Sequence, residues 1–350
     1  MREAEREGKE MKAAVIGLGT ISPLHIRAIR DAGGEIAAVC DLDPDKLERA
    51  REQAGGACRT YTDYRQMLDE ESFDVVHICT PHFLHAEMIC ACLDRDISVL
   101  SEKPLAISRA QLVQIEKSVV RTEAQLAVCQ QNRFNASVRY LKELLKDQKI
   151  LAASGNLCWR RDAAYYNTAA WRGTLLQEGG GVMINQALHT LDLLQWFCGM
   201  PSSVIGHNCN DTLKGVIQTE ESQLGIFKLK EGGRFILTAT NACSYSFSVT
   251  LMFKSEDTEA VLIGDNMIIN GKFMTKTDGL PLFGKEEWGV GHSNLVREFY
   301  ACLREKRKFP IDFYEGKKVV ELILALYASR GKEIFVEPRE HSFEEPLLER

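Results

Sequence analysis

"MKAAVIGLGTIS", residues 11–22, decides the fold: an apolar run of strand length ends at Gly17 and Gly19 and feeds directly into a predicted helix beginning near Pro23. KAAVIGL is apolar without alternation, as expected of a strand buried on both faces of a parallel sheet. Moving outward, the same unit repeats. The first helix stops at Gly33-Gly34, and EIAAVC then PDKLERAREQA supply the next strand and helix, with Asp43-Pro44 as the helix start. DVVHICT, a helix from Phe83 to Arg95, ISVLS, SRAQLVQIEKSVVRT and AQLAVC continue the alternation. Strand-helix alternation of this kind predicts an α/β fold with a doubly wound parallel sheet over residues 11–130. Residues 1–10 are charged and aperiodic, and are expected to form a flexible extension.

Beyond residue 130 the pattern changes. A helix around SVRYLKELLKD and the strand LAASGNLCWRR lead to GGGVMINQALHTLD, residues 179–192, read as a helix that stops at FCGMP. Strands then follow in series: SSVIGHNC, ESQLGIFKL, GRFILTATNAC, FSVTLMFKS, EAVLIGD and NMIING. Their alternation predicts antiparallel strands with one solvated or partner-covered face. Two helices near SNLVREFYACLRE and GKKVVELILALYAS close a second α/β domain, 131–350, built on a large open, mostly antiparallel sheet.

Composition narrows the function classes. At 350 residues the chain exceeds the usual growth of one core, so two domains are expected. A formal charge of -6 and no Lys/Arg run interleaved with aromatics argue against nucleic acid. No apolar stretch reaches membrane-spanning length and the first ten residues have no apolar signal core, so a cytoplasmic protein with no membrane partner is expected. The eleven cysteines are an odd number without C-x-x-C pairs, and read as reduced packing thiols.

The glycine turn has the context that gives a dinucleotide fingerprint its meaning. Gly17 permits the tight turn, and Gly19 lets backbone approach a pyrophosphate at the helix N-terminus, with Thr20 and Ile21 completing the turn. The third position is Ser22 rather than Gly. Asp41 ends the second strand 22 residues after Gly19, where a carboxylate can accept both ribose hydroxyls of NAD and repel the extra phosphate of NADP. NAD is therefore the expected cofactor, with NADP the weaker alternative. The competing duty, capping the next helix, fits Asp43 better.

Further chemistry sits at the ends of the later strands. Thr80, Pro81, His82 and His85 in TPHFLH lie at the edge where open α/β sheets bind ligands. The two histidines lack an acidic or thiol partner at metal spacing, so helix-entry packing or cofactor contact is expected there and no metal. In SEKPL, Glu102 precedes Lys103, which a following Pro holds extended. A lysine can orient a substrate hydroxyl and stabilise charge developing on its oxygen; a surface lysine in a turn is the plainer reading. Asn185, His189 and Asp192 are spaced to share one helix face. The three glycines before them are expected to leave room for ligand. WRRDAAYYN and WRG, residues 159–167 and 171–173, offer Arg160, Tyr166, Trp171 and Arg172 as substrate or nicotinamide contacts, or as a packing loop.

Taken together, GLGTIS with His25, Asp41, TP followed by His85, the tripeptide Glu102-Lys103-Pro104, NRFN at 132–135, the GGG…H..D stretch and the late HSNLVREFYACLRE resemble the glucose-fructose oxidoreductase, inositol dehydrogenase and MocA (Gfo/Idh/MocA) family over essentially everything after residue 11. The resemblance implies a Rossmann domain, an open-sheet domain supporting homodimers or homotetramers, and NAD(P)-dependent oxidation or reduction of a sugar or cyclic polyol hydroxyl. It also implies catalytic roles for Lys103 and His189. Many members carry Asp four residues before that histidine, where this chain has Asn185; a neutral amide positions by hydrogen bonding but cannot share a proton. With Asn185 counted in the site, the expected reaction has His189 as acid/base and Lys103 on the hydroxyl oxygen. Two alternatives use the same parts: glycoside cleavage or elimination through transient sugar oxidation with hydride return, and a non-catalytic NAD(H)-dependent sugar sensor.

Overall fold

The computed structural model describes residues 10–279 and 289–336; the N-terminal extension, apart from Glu10, lies outside them. The chain divides into two compact units. One takes the chain up to Glu102, Gln114–Cys129 and His292–Glu315; the other takes Lys103–Val113, Gln130–Gly291 and the chain from Gly316.

The first unit holds strands β1 (Met11–Ile16), β2 (Gly34–Cys40), β3 (Arg59–Tyr61), β4 (Val75–Ile78), β5 (Ser98–Ser101) and β6 (Leu126–Val128) in the spatial order β3-β2-β1-β4-β5-β6. Every pairing is parallel. β1 is buried at all positions but Lys12, as its unbroken apolar run requires. Helix α1 (Ser22–Asp31) leaves the glycine turn with a Pro in its first turn, and α2 (Pro44–Gln53) is capped by Asp43, whose carboxylate accepts from Asp45 N and Lys46 N. β3 and the capped helix α3 (Tyr64–Glu70) are not expected from the sequence, because three residues, RTY, carry no readable period. Helices α4 (His85–Leu93) and α5 (Arg109–Val119) follow β4 and β5 in the chain.

The second unit contains α6 (Ala136–Leu145), β7 (Ile150–Cys158), α7 (Ala163–Tyr166), α8 (Val182–Asn185) and α9 (Leu188–Cys198). The later strands are β8 (Pro201–Cys209), β9 (Ser222–Leu229), β10 (Arg234–Thr240), β11 (Thr250–Ser255), β12 (Glu259–Ile263), β13 (Asn266–Ile269), β14 (Lys272–Thr275) and β15 (Ile334–Phe335). They form a nine-stranded sheet, β14-β13-β12-β11-β7-β10-β9-β8-β15, antiparallel except for β7 beside β10. Of the two helices expected to close the second unit, α11 (Phe313–Ser329) belongs there from Gly316 onward, whereas α10 (Gly291–Arg304) groups with the first unit from His292. Among the described residues no helix is long and apolar enough to cross a membrane.

Two local features position the residues of interest. Gly155 on β7 admits α9 close to the sheet: a Cβ there would lie 2.9 Å from both Leu194 Cδ1 and Thr190 Cγ2. The expected single helix over 179–198 is broken. Ala187 N donates to Val182 O, five residues back, at 2.8 Å, and α9 restarts at Leu188. Asn185 therefore ends one short helix and His189 lies in the first turn of another, so simple helical spacing does not relate them.

Candidate active site

In the first unit the glycine turn is shaped as a dinucleotide cradle. Gly17 has φ +88°, and a Cβ there would sit 2.7 Å from the Cys79 carbonyl carbon, so only glycine fits. Gly19 has nothing within 4 Å of its Cβ position, leaving its backbone open to a ligand. Ser22 substitutes for the third glycine by donating its hydroxyl to Gly19 O at 2.9 Å. Asp41 accepts from Leu18 N at 2.7 Å and Asp43 N at 3.0 Å, which ties the acid to the turn. A carboxylate has about four lone-pair sites, so capacity remains for ribose hydroxyls. These residues fit a bound NAD.

Around Glu102 the same unit buries a polar chain. Glu102 Oε1 lies 3.0 Å from His25 Nε2 and 3.7 Å from His292 Nε2. His25 Nδ1 meets His77 Nδ1 at 2.9 Å, and His77 Nε2 meets Tyr300 OH at 3.1 Å. Burial pushes the Glu102 carboxyl up, but hydrogen bonds from His25 and His292 and their charges outweigh it and hold it well below the usual range. Donor atoms of His25, Glu102, Cys129 and His292 all lie within 4.8 Å of one another. Local spacing could not reveal this set, since its members come from four distant segments. His85 is buried with Nε2 2.8 Å from Thr80 O, and its ring lies 6.0 Å from that of His82. That pair closes the entry to α4.

The second unit gathers the chemistry-bearing residues. Half-buried Lys103 donates from Nζ to Asn185 O at 2.8 Å and to its Oδ1 at 3.4 Å. Asn185 Nδ2 donates in turn to Glu178, a fully buried carboxylate that also accepts from Gly173 N. His189 Nε2 lies 3.2 Å from Gln131 Nε2. Gln131 is held there because Arg133, two residues on, makes a buried bidentate pair with Asp192 on α9, at 2.7 and 2.6 Å. Asp192 thus serves packing of the NRFN turn against α9.

The expectation that Gly179–Gly181 leave room for ligand is corrected. A Cβ would lie 2.4 Å from Ile107 Cβ at Gly179, 2.1 Å from Tyr327 OH at Gly180 and 1.9 Å from Glu220 O at Gly181. Protein fills the space. Glu220, buried, accepts from Gly181 N at 2.9 Å, Met183 N at 3.0 Å and Tyr327 OH at 2.8 Å, capping α8. Gly180 and Gly181 let this cap close, and Gly179 admits Ile107.

The aromatic loop separates into parts. Arg160 is exposed and pairs with Asp162 at 3.2 Å. Tyr166 is buried with Leu213 and Ile217, its OH accepting from Asn241 Nδ2 at 2.8 Å. Arg172 stacks on Trp171 at 4.9 Å and on Tyr165 at 4.5 Å, and its Nη1 donates to Tyr165 OH. Gln186 Nε2 also donates to that hydroxyl, at 3.1 Å, which links the loop to the residue after Asn185. Glu178, Gln131, Tyr165 and Gln186 carry no sequence signal, because each acts through a partner that no local period connects to it.

A dinucleotide cradle on a doubly wound sheet, followed by a mixed-sheet unit presenting a lysine, an amide and a histidine, defines an NAD-binding oxidoreductase. The model of an oxidoreductase family with an NAD-binding Rossmann fold matches residues 11–130, and that of the GFO/IDH/MocA C-terminal domain matches 138–269. The chain belongs to the GFO/IDH/MocA family. It is 25% identical to the D-apiose dehydrogenase of Paraburkholderia graminis over 97% of this chain and 93% of that protein. The inositol 2-dehydrogenase of Renibacterium salmoninarum is 30% identical over 54% of this chain, which spans about half (55%) of that relative. Among solved structures, the WlbA dehydrogenase of Chromobacterium violaceum, in complex with NADH and UDP-GlcNAcA, has a TM-score of 0.81 at 25% identity, covering 94% of this chain and 96% of that one. A levoglucosan dehydrogenase at 18% identity shares the fold, with a TM-score of 0.83 and coverage of 94% and 100%.

Proposed function

We propose that this protein oxidises a secondary hydroxyl of a sugar, cyclic polyol or sugar derivative, or in reverse reduces the corresponding carbonyl, with NAD as the hydride carrier. The observation that carries the reading is Lys103 Nζ fixed on Asn185, four residues before His189. NAD supplies the hydride acceptor when bound. Lys103 binds the substrate oxygen and steadies negative charge forming on it. His189 takes the hydroxyl proton through a ring nitrogen, with Gln131 orienting the ring, and loss of the carbon-bound hydride then leaves a carbonyl. In the reverse direction His189 returns the proton. Tyr165, Trp171 and Arg172 present stacked aromatic and guanidinium surfaces suited to a sugar ring or an anionic substituent. Relatives named for apiose and inositol, and a structural neighbour holding a UDP-sugar acid, fit the same substrate class.

Lys103→Met and His189→Ala test the assignment. Each is expected to abolish turnover while NAD affinity, measured by calorimetry, stays within about threefold of wild type. Unchanged turnover in both would remove these residues from the mechanism.

The protein works as a homodimer or homotetramer in this reading. One outward row crosses the second sheet in register, Ile205, Ile226, Ile236, Ser154, Met252, Val261, Ile268 and Phe273. Ile236, Met252, Ile268 and Phe273 are exposed. A row of that width, apolar at every position but Ser154, suits a second copy better than solvent.

A further inference from the structure

Asn185 stands between two groups of opposite character. On one side is Glu178, and on the other the Lys103 ammonium, which can only donate. An ionised Glu178 can only accept. The amide is therefore forced into one orientation, with Nδ2 toward Glu178 and Oδ1 toward Lys103. Position 185 itself carries no charge, so the negative charge nearest this amide is Glu178, held by the Gly173 amide in the turn before the three glycines.

We propose that Glu178 is a positioning residue for this site: through the Asn185 amide it fixes Lys103 and supplies the acid that position 185 lacks. The proposal rests on the dehydrogenase reading for its catalytic consequence, though not for the Glu178–Lys103 coupling itself. Its ionisation follows from its surroundings. Burial pushes the Glu178 carboxyl up, while the Gly173 and Asn185 hydrogen bonds and the charges of Arg172 and Lys103 pull it back, and the net shift is upward. The other titratable groups facing it are the phenols of Tyr166 and Tyr327, both kept neutral by burial, with Glu220 behind Tyr327.

The consequence has a definite sign. Above its ionisation Glu178 accepts, and the amide holds Lys103. Below it, the protonated carboxyl can donate to Oδ1, the amide can turn over, and its NH2 then faces the ammonium, donor against donor. Lys103 then loses the Asn185 Oδ1 contact that fixes it on the side chain, while the backbone carbonyl contact stays. Turnover should therefore fall as pH drops through a carboxyl titrating above the ordinary range.

Two measurements on the full chain test this. Glu178→Gln should lower kcat by about 10–100-fold with little change in NAD affinity, and should remove the carboxyl's contribution to the acid limb of the kcat profile, leaving the limb set by the base His189. Adding Asn185→Asp to that variant moves the charge by one hydrogen bond, with the introduced glutamine amide donating to the introduced carboxylate; most of the lost kcat should return. Infrared titration provides the second arm and needs no substrate. Buried Glu220 also titrates above the ordinary range, so the Glu178 band is the one that disappears in Glu178→Gln while the Glu220 band remains. The Glu178 band should be displaced to still higher pH in Lys103→Met, where the ammonium's attraction is gone. Full activity with an unchanged acid limb in Glu178→Gln, failure of the double variant to recover, or a Glu178 band indifferent to Lys103→Met would each overturn the proposal. Should wild type turn over no sugar or polyol, the dehydrogenase reading falls, and the infrared comparison still decides the coupling.

Discussion

Asp41 is suited to two duties that the sequence does not separate. Its position at the end of β2 suits ribose recognition, and its carboxylate also accepts the Leu18 amide inside the glycine turn. Asp41→Ala should weaken NAD far more than NADP, by about tenfold or more in relative Kd, because only the discriminating charge distinguishes the two cofactors. Equal weakening, measured by calorimetry with both nucleotides, would mean that the carboxylate serves the turn alone. Lys103 and His189, the proposed catalytic pair, can be singled out from the sequence because each stands in a short motif with a chemical reason. Gln131 and Glu178 are not: their roles depend on contacts 58 and 7 residues away, with His189 and Asn185, that no local period encodes.

At the scale of elements, the strand-helix alternation of the first unit can be read directly, since a buried parallel strand leaves an unbroken apolar run. Continuity breaks at α8 and α9. Apolar residues on both sides of Gln186 and Ala187 read as one helix, and nothing in side-chain chemistry announces a backbone bond reaching five residues back. The three glycines mislead for a related reason: small residues signal close approach without saying what approaches. Gly181→Ala should destabilise the protein by about 1–3 kcal/mol or more, since the new methyl overlaps the Glu220 carbonyl at 1.9 Å and disrupts the α8 cap. A variant as stable as wild type in urea would mean that the cap relaxes freely. Asp192→Ala leaves the buried Arg133 guanidinium without its bidentate partner, and is expected to cost about 3–5 kcal/mol in the same assay.

For the whole molecule, two units and two sheets follow from length and from the change of pattern near residue 130, while their make-up does not. The segment Lys103–Val113 groups with the second unit and His292–Glu315 with the first, exchanges that a linear reading has no means to see. The outward apolar row makes its own prediction: Ile236→Lys combined with Met252→Lys should lower the mass measured by sedimentation toward that of one chain. A single-chain mass already in wild type would remove the second copy. The central claim is net hydride transfer from a sugar or polyol carbon to NAD. Its most direct test mixes purified protein and NAD with a panel of sugars, inositols, sugar acids and glycosides, following reduced-nicotinamide absorbance and product together. NADH should form in proportion to a carbonyl product, and both should be lost in Lys103→Met. Conversion of a glycoside while the absorbance stays flat would contradict the claim, and would point to a hydride that returns to the sugar within each turnover.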